Sequence, residues 1–307
     1  MHLPFGRPSL RPYLAYRQQP ARAAADGLTA HFLGTSSVLL SDGETSILGD
    51  GFVTRPRLRR TVLGTIAPDR TAVRDAIGRL RLNSLAAVFC AHSHYDHAMD
   101  APVWVQEAGG ELVGSRSTAN IGRGLGLPEQ ALRVVADGDT VRYGRFELTF
   151  IGSVHSPGDR APGTVEQPLV PPARTGRWKS DTSYSVLITH PHGRVLLHAS
   201  ANYRPGALHA HRADVIYLGI GALGKQPERF VATYWDEVVR ATGARRIILV
   251  HWDDFFTPLD RPLRPMPYAL DDLDATMSRL LPLARRDRVE VLLPVPWQPT
   301  HPLLNLT

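Results

Sequence analysis

Cysteine is almost missing from these 307 residues: Cys90 stands alone. A disulfide scaffold is therefore excluded. Long apolar runs are missing too. None reaches the roughly 18 residues of a membrane-spanning helix, so no span is expected. Lysine is scarce: of 35 basic residues only Lys179 and Lys225 are lysine. The arginines are spread along the chain. The net charge of +6 and the pI near 9.8 therefore read as a composition bias, and a nucleic-acid partner is not expected. A secretory leader is not expected either. Ala23–Ala25 looks like a cleavage site, but no apolar stretch of roughly 7–15 residues precedes it. The expectation is a cytoplasmic protein, with an oligomeric state that composition does not set. Hydrophobic residues at 43% and charged ones at 21% are ordinary for a folded domain and exclude global disorder.

Residues 1–27 carry Pro4, Pro8, Pro12, Pro20 and four arginines, and read as an irregular arm. Residues 28–307 read as one domain. Leu28–Leu40 is strand-like, and Thr45–Leu48 follows the Asp42-Gly43 turn. Val73, Ile77 and Leu80 recur at helical spacing. Leu85–Cys90 is a short apolar run, expected to be a buried strand with Cys90 in it. Further strands are expected at Phe146–Ile151, Tyr184–Thr189, Val195–His198, Ala213–Leu218, Arg246–Val250 and Val289–Leu293. Helices are expected around Val231–Val238 and Leu270–Leu280. Strands in two batches, each followed by helices, predict two mixed sheets packed together with helices outside. Between them, residues 157–179 hold five prolines and little periodicity. Such long loops are often lids or disordered. A lid closing over the substrate, with Trp178 and Lys179 at its far end, is the expectation.

The chemistry is concentrated at Ala91-His92-Ser93-His94-Tyr95-Asp96-His97, directly after the apolar strand. His92 and His94 are two apart and point the same way in extended backbone. Asp96 and His97 follow where the chain turns into a helix. One strand-to-helix loop can thus present four ligands, and imidazole with carboxylate suits zinc and other first-row metals. His155 and His251 stand at the ends of two other expected strands and are independent candidates.

These residues resemble the metallo-β-lactamase fold superfamily of hydrolases. The resemblance runs from Leu28 to Leu293. It rests on Phe32-Leu33-Gly34-Thr35-Ser36-Ser37, Leu48-Gly49-Asp50-Gly51, the His92–His97 motif, His155-Ser156-Pro157-Gly158 and the strand before His251. It implies an αββα sandwich with metals at one edge. His92, His94 and His155 would hold a first metal, and Asp96, His97 and His251 a second. Zn²⁺, one or two ions, is the implied cofactor, with Fe or Mn also suited to the donors. Many members place a bridging Asp after a Gly; here Ser200 stands at that place. The second site is therefore expected to be the weaker. The ligand set is similar to that of the lactamase subclass with a three-His site, an Asp-His-His site and no bridging Asp. A weaker likeness, from His94-Tyr95-Asp96-His97 and Leu112-Val113-Gly114-Ser115, is to the lactonase and phospholipase-D-like branch.

A zinc-held water has a pKa of about 7, so hydroxide is available to cleave an ester, lactone, amide or phosphodiester bond of a small-molecule substrate. Asp96 would orient it. Asp50 and Asp100 are candidates for fixing the imidazoles. Trp252, Phe255 and Phe256 are candidate pocket walls. His198, His209 and His211 are expected to be exposed or substrate-facing. A nuclease of the same fold and a mono-iron sulfur dioxygenase are the alternative readings.

Overall fold

The computed structural model describes residues 5–20 and 27–306. Ala23–Ala25, and the rest of the expected arm at 1–4 and 21–26, lie outside the described residues. The described part of the arm carries a short 3-10 helix, Arg11–Tyr16. It is tied to the body by hydrogen bonds from the Gln18 amide to the Leu293 carbonyl and from the Leu293 amide to the Tyr16 carbonyl.

Two seven-stranded mixed sheets form the centre. The first is built from β1 (Thr29–Phe32), β2 (Val38–Ser41), β3 (Ser46–Gly49), β4 (Ala87–Phe89), β5 (Glu111–Gly114) and β6 (Leu132–Val134), with the terminal β14 (Pro299–Thr300) on the outside of β1. The second runs β7 (Thr140–Tyr143), β8 (Phe146–Ser153), β9 (Ser183–His190), β10 (Gly193–His198), β11 (Val215–Gly219), β12 (Arg246–Val250) and β13 (Glu290–Leu292). β1 to β3 pair antiparallel and β3 to β6 parallel. The parallel strands β4, β11 and β12 are wholly buried, as their unbroken apolar runs require.

The expected single strand Leu28–Leu40 is two strands. Gly34 (φ +85°) and Thr35 (φ +53°) reverse the chain between β1 and β2. Glycine adopts that conformation freely, whereas a β-branched residue is strained in it. The strain lies beside His251, whose amide donates to the Thr35 carbonyl.

Phe32, Phe89, Phe150, Tyr217 and Ile248 are among the side chains that fill the space between the sheets. Outside the first sheet lie α1 (Leu58–Leu63), α2 (Arg70–Leu80), α3 (Tyr95–Ala98), α4 (Ala101–Ala108) and α5 (Arg116–Gly124); outside the second lie α6 (Glu228–Tyr234) and α7 (Leu273–Asp287). Helix α5 was not foreseen, because Arg-Ser-Thr-Ala-Asn-Ile-Gly-Arg-Gly has a single large apolar residue. It forms because the Ser115 hydroxyl caps the Thr118 amide and because small residues let it lie close. A Cβ on Gly124 would meet the Leu169 carbonyl oxygen at 1.9 Å.

The 157–179 segment does not swing free. Ala161, Val165, Leu169 and Trp178 are buried. The Val165 amide donates to Ser117 Oγ (2.8 Å), and Asn120 Nδ2 donates to the Val165 carbonyl (2.6 Å). Ala173 bridges Ile66. The segment is therefore a packed wall of the first layer, contrary to the expected lid. Its prolines fit because few of its amides are needed for pairing. No helix among the described residues is long and apolar enough to cross a membrane.

Candidate metal centre

Strand β4 ends at Phe89, and the loop behind it is held from three sides. The Asp50 amide donates to the Phe89 carbonyl (2.8 Å). The Ala91 amide donates to Asp50 Oδ1 (2.9 Å). The Tyr184 amide, from the second sheet, donates to the Ala91 carbonyl (2.8 Å). The loop then delivers His92 and His94, and α3 delivers Asp96 and His97. His155 arrives two residues beyond β8, and His251 one residue beyond β12. The result is two triads at one edge of the sandwich: His92, His94 and His155, and Asp96, His97 and His251. Within each triad the ligand atoms lie within 4.8 Å of one another.

In the first triad the rings approach edge-on, with centroids 4.6–5.0 Å apart. His155 Nδ1 faces the Ser156 carbonyl at 2.9 Å. A carbonyl only accepts, so this partner assigns the proton to Nδ1 and leaves Nε2 as the donor atom. His94 Nε2 faces the Ala161 carbonyl (3.4 Å) and Asp159 Oδ1 (3.3 Å), which leaves His94 Nδ1. His92 is the decisive residue. It is 2% exposed, and neither ring nitrogen has a hydrogen-bond partner. Burial, then the neighbouring imidazoles, push its pKa well below the ordinary histidine value. A buried imidazole with no partner is costly. A cation ligated by a neutral ring satisfies it, so the donor set fits a metal.

The second triad is already paired. His97 Nδ1 lies 2.8 Å from Asp50 Oδ2, and Ser36 Oγ donates to the same carboxylate oxygen (2.5 Å). This carboxylate–imidazole pair leaves His97 Nε2 for the centre. Asp96 Oδ2 lies 3.3 Å from His251 Nε2 and 3.6 Å from His97 Nε2. Burial pushes the Asp96 carboxyl up, but His97 and His251 outweigh it and hold it below the usual range.

His251 is held by a separate brace. Its backbone is left-handed (φ +63°), and its amide donates to the Thr35 carbonyl (2.6 Å). The Thr35 amide in turn donates to Asp253 Oδ1 (2.8 Å). Asp253 Oδ2 accepts from Arg55 Nη2 (2.5 Å), and both side chains are fully buried. Strained residues persist where surrounding contacts over-determine them, and they cluster at functional sites.

Beside the triads a cavity of about 360 Å³ opens, with His94, Asp96, His155 and His251 on its floor. Leu58 and Val62 of α1, Trp178, and Phe255, Phe256, Met266 and Leu270 form its walls.

No protein-family model matches the chain, and no curated protein does either. Solved structures do match. Igni18, a metallo hydrolase from the hyperthermophilic archaeon Ignicoccus hospitalis, superposes with a TM-score of 0.58 at 13% identity, over 89% of this chain and 97% of that one. The metallo-β-lactamase fold protein YhfI from Bacillus subtilis gives 0.51 at 16% identity, over 89% and 98%. CmlA, a diiron β-hydroxylase from Streptomyces venezuelae, gives 0.52 at 14% identity, over 91% of this chain and 54% of its own.

The chain has the metallo-β-lactamase fold.

On this metallo-β-lactamase fold the remaining candidates fall in different places. Asp50 touches His97 directly. Asp100 touches no ligand; it accepts from the Val53 and Thr54 amides (2.8 and 2.7 Å) and from Thr54 Oγ1 (2.6 Å). Burial raises its pKa to about 6 against these donors. Its work is to shape the loop after Asp50. Ser200 is nearly buried, and its neighbours bind the corner that carries His155: the Ala201 amide donates to Ser156 Oγ, and Asn202 Nδ2 donates to the His155 carbonyl (both 2.7 Å).

Trp252 is not a pocket wall. It is 3% exposed and packs in the core under the second sheet, while Phe255 and Phe256 do line the cavity. Trp178 lines the cavity but is fixed in the core, 1% exposed. His198 is not exposed. It is buried between Ser185 Oγ (2.7 Å) and the Asn202 carbonyl (2.8 Å). His209 is exposed beside Glu237 and His211 is half-buried.

Asp159 and Arg55 escaped sequence reasoning, and Ser36 and Asp253 were given no role of their own there. Asp159 sits in the proline-rich segment, four residues after His155, and that spacing was its one visible signal. Arg55 carried none, since an isolated arginine normally reads as surface.

Proposed function

We propose that this chain is a metal-dependent hydrolase with a binuclear centre, in which His92, His94 and His155 hold one ion and Asp96, His97 and His251 the other. The observation that carries the reading is the fully buried, unpartnered His92 imidazole beside two triads that share one cavity. Zinc is the ion proposed, from the imidazole-rich donor set. When bound, such ions bring a ligated water towards a neutral pKa and polarise the oxygen of the bond to be cleaved.

The protein's own groups supply the rest. Asp96 is ionised and faces the cavity, so it accepts a hydrogen bond from the attacking water and aims it. Asp50 and Asp159 fix which nitrogen of His97 and of His94 is protonated. The apolar walls displace solvent and strengthen the electrostatics of the floor. The likeness to Igni18 supports hydrolysis. The likeness to CmlA supports iron-based oxidative chemistry as a second reading, on the same ligands.

Elemental analysis of protein from metal-replete medium, followed by chelation and reconstitution with Zn²⁺ or Fe²⁺, tests this. One to two equivalents of zinc, and hydrolysis of an ester, lactone, amide or phosphodiester that vanishes on chelation, is the expected result. A metal-free protein with full activity overturns it. Iron with no hydrolysis favours the oxidative reading.

A further inference from the structure

Resting on the hydrolytic reading, we propose that the substrate is an uncharged carboxylic ester or lactone with a small apolar arm, and not a phosphoester. The cavity is the reason. Its apolar side begins at the second triad itself: the Phe255 ring meets His251 edge-on at 5.5 Å, and Phe256 packs on Phe255 at 4.7 Å. Opposite stand Leu58 and Val62, which line the cavity yet are 45% and 69% exposed. Open apolar surface carries a hydration cost that an apolar ligand relieves. A wall of this kind, continuous with the ligands, takes the arm of a substrate whose reacting bond lies over the triads.

The lining has little of its own to hold a phosphoryl group. Among the described residues exposed Arg160 is the one guanidinium on the lining, and no lysine joins it. Two carboxylates, Asp96 and Asp271, line the same cavity. Asp271 is tied to the Ala222 amide (2.9 Å) and the Asp272 amide (2.7 Å), so it is fixed in place. Phosphoryl oxygens are recognised by arginine forks, lysines or runs of amides. Beyond the ions that the hydrolytic reading places over the triads, a phosphoryl group here finds only Arg160. A carbonyl ester needs no further cation. Hydrolysis adds the water oxygen to the acyl carbon and breaks the acyl C–O bond. One water proton goes to the departing alkoxide, and the acid product releases the other to solvent.

The test uses the full chain reconstituted with zinc. 4-Nitrophenyl acetate, propionate and butyrate are compared with bis(4-nitrophenyl) phosphate. The proposal expects chelator-sensitive ester cleavage, with kcat/KM rising up to about fourfold per methylene and the phosphodiester at least tenfold poorer. Val62→Ser, at an exposed position that folding does not depend on, should flatten the chain-length series, and so should Phe256→Ala. Preferred cleavage of the phosphodiester, or a flat ester series in the wild type, overturns this proposal and leaves the hydrolase reading standing. Loss of chelator-sensitive cleavage for every substrate overturns both.

Discussion

The two triads draw on one shared loop, yet they are stabilised in opposite ways. The first is three neutral imidazoles, one of them buried with both nitrogens unpartnered. The second contains its own counter-charge: Asp96 faces His97 and His251, and Asp50 backs His97. A cation entering the first relieves an unsatisfied group. A cation entering the second replaces contacts the protein already makes. The second triad also depends on distant parts of the chain. His251 is aimed by Thr35, Asp253 and Arg55, which belong to three different loops. Ligand count alone does not rank two metal sites; what each site does without metal matters as much.

The strongest way to break this comparison is to remove the first triad's centre. His92→Ala should abolish binding of the first metal and nearly all turnover. The loss should exceed the roughly 10–100-fold that removal of an outer partner costs. Metal content and activity are measured together. Retained metal with lost activity would show that His92 serves another role. The folded protein should be no less stable without metal, because an unsatisfied buried imidazole is gone.

The second triad should break through its brace. Asp253→Ala leaves Arg55 as a buried, uncompensated charge and frees the strained Thr35 turn. Destabilisation of about 3–5 kcal/mol in urea unfolding is expected. Residual folded protein should bind the second metal more weakly and the first unchanged. Replacing Arg55 and Asp253 together by apolar residues should restore stability without restoring the second site. Restored second-site affinity would deny the pair any part in aiming His251.

The first triad has a pH-sensitive support. His198 is wholly buried, and burial lowers its pKa to about 4 from 6.5, against the Asn202 carbonyl that raises it. Asn202 also holds the His155 carbonyl. The unfolded chain protonates His198 near pH 6.5 and the folded chain does not. Its contribution is therefore complete above pH 6.5 and is lost as pH falls towards 4. The loss approaches about 3 kcal/mol. His198→Gln should flatten the stability-versus-pH curve by that amount between pH 6.5 and 4. An unchanged difference between the two proteins across that window would show that His198 does not titrate there.

How much of this was legible beforehand follows from range. The six candidate ligands were visible because each stands at a strand end, where an apolar run stops at a histidine or at the His92–His97 cluster. The two-sheet architecture was visible from strands in batches. The reversal at Gly34-Thr35 was hidden, because one glycine inside an apolar stretch looks like strand. Helix α5 was hidden because its stability comes from close packing of small residues, which carries no hydrophobic period. Trp252 was misplaced: an aromatic residue beside a ligand reads as pocket lining, and only the chain's course shows it turned into the core. Arg55 and Asp253 are 198 residues apart, and no local pattern announces a pairing at that distance.

The smallest expected effect sharpens the comparison from the second triad's side. Ser200 stands after β10, beside the corner that carries His155 and Ser156, and it is 6% exposed. A hydroxyl there is at best a neutral donor. Ser200→Asp adds a carboxylate, a hard oxygen that binds cations and repels none. The second metal should bind more tightly by no more than about tenfold, since each 1.4 kcal/mol is one decade and the new charge must also be desolvated at a nearly buried position. The first metal, already held by three imidazoles, should change less. Stepwise titration of Zn²⁺ into the apo-protein, followed by calorimetry, separates the two events. A shifted second step with an unmoved first step would mean that the asymmetry between the triads is set partly by the missing carboxylate. Two unmoved steps would place Ser200 out of reach of both ions and leave the asymmetry to the pairing of Asp96 with His97 and His251.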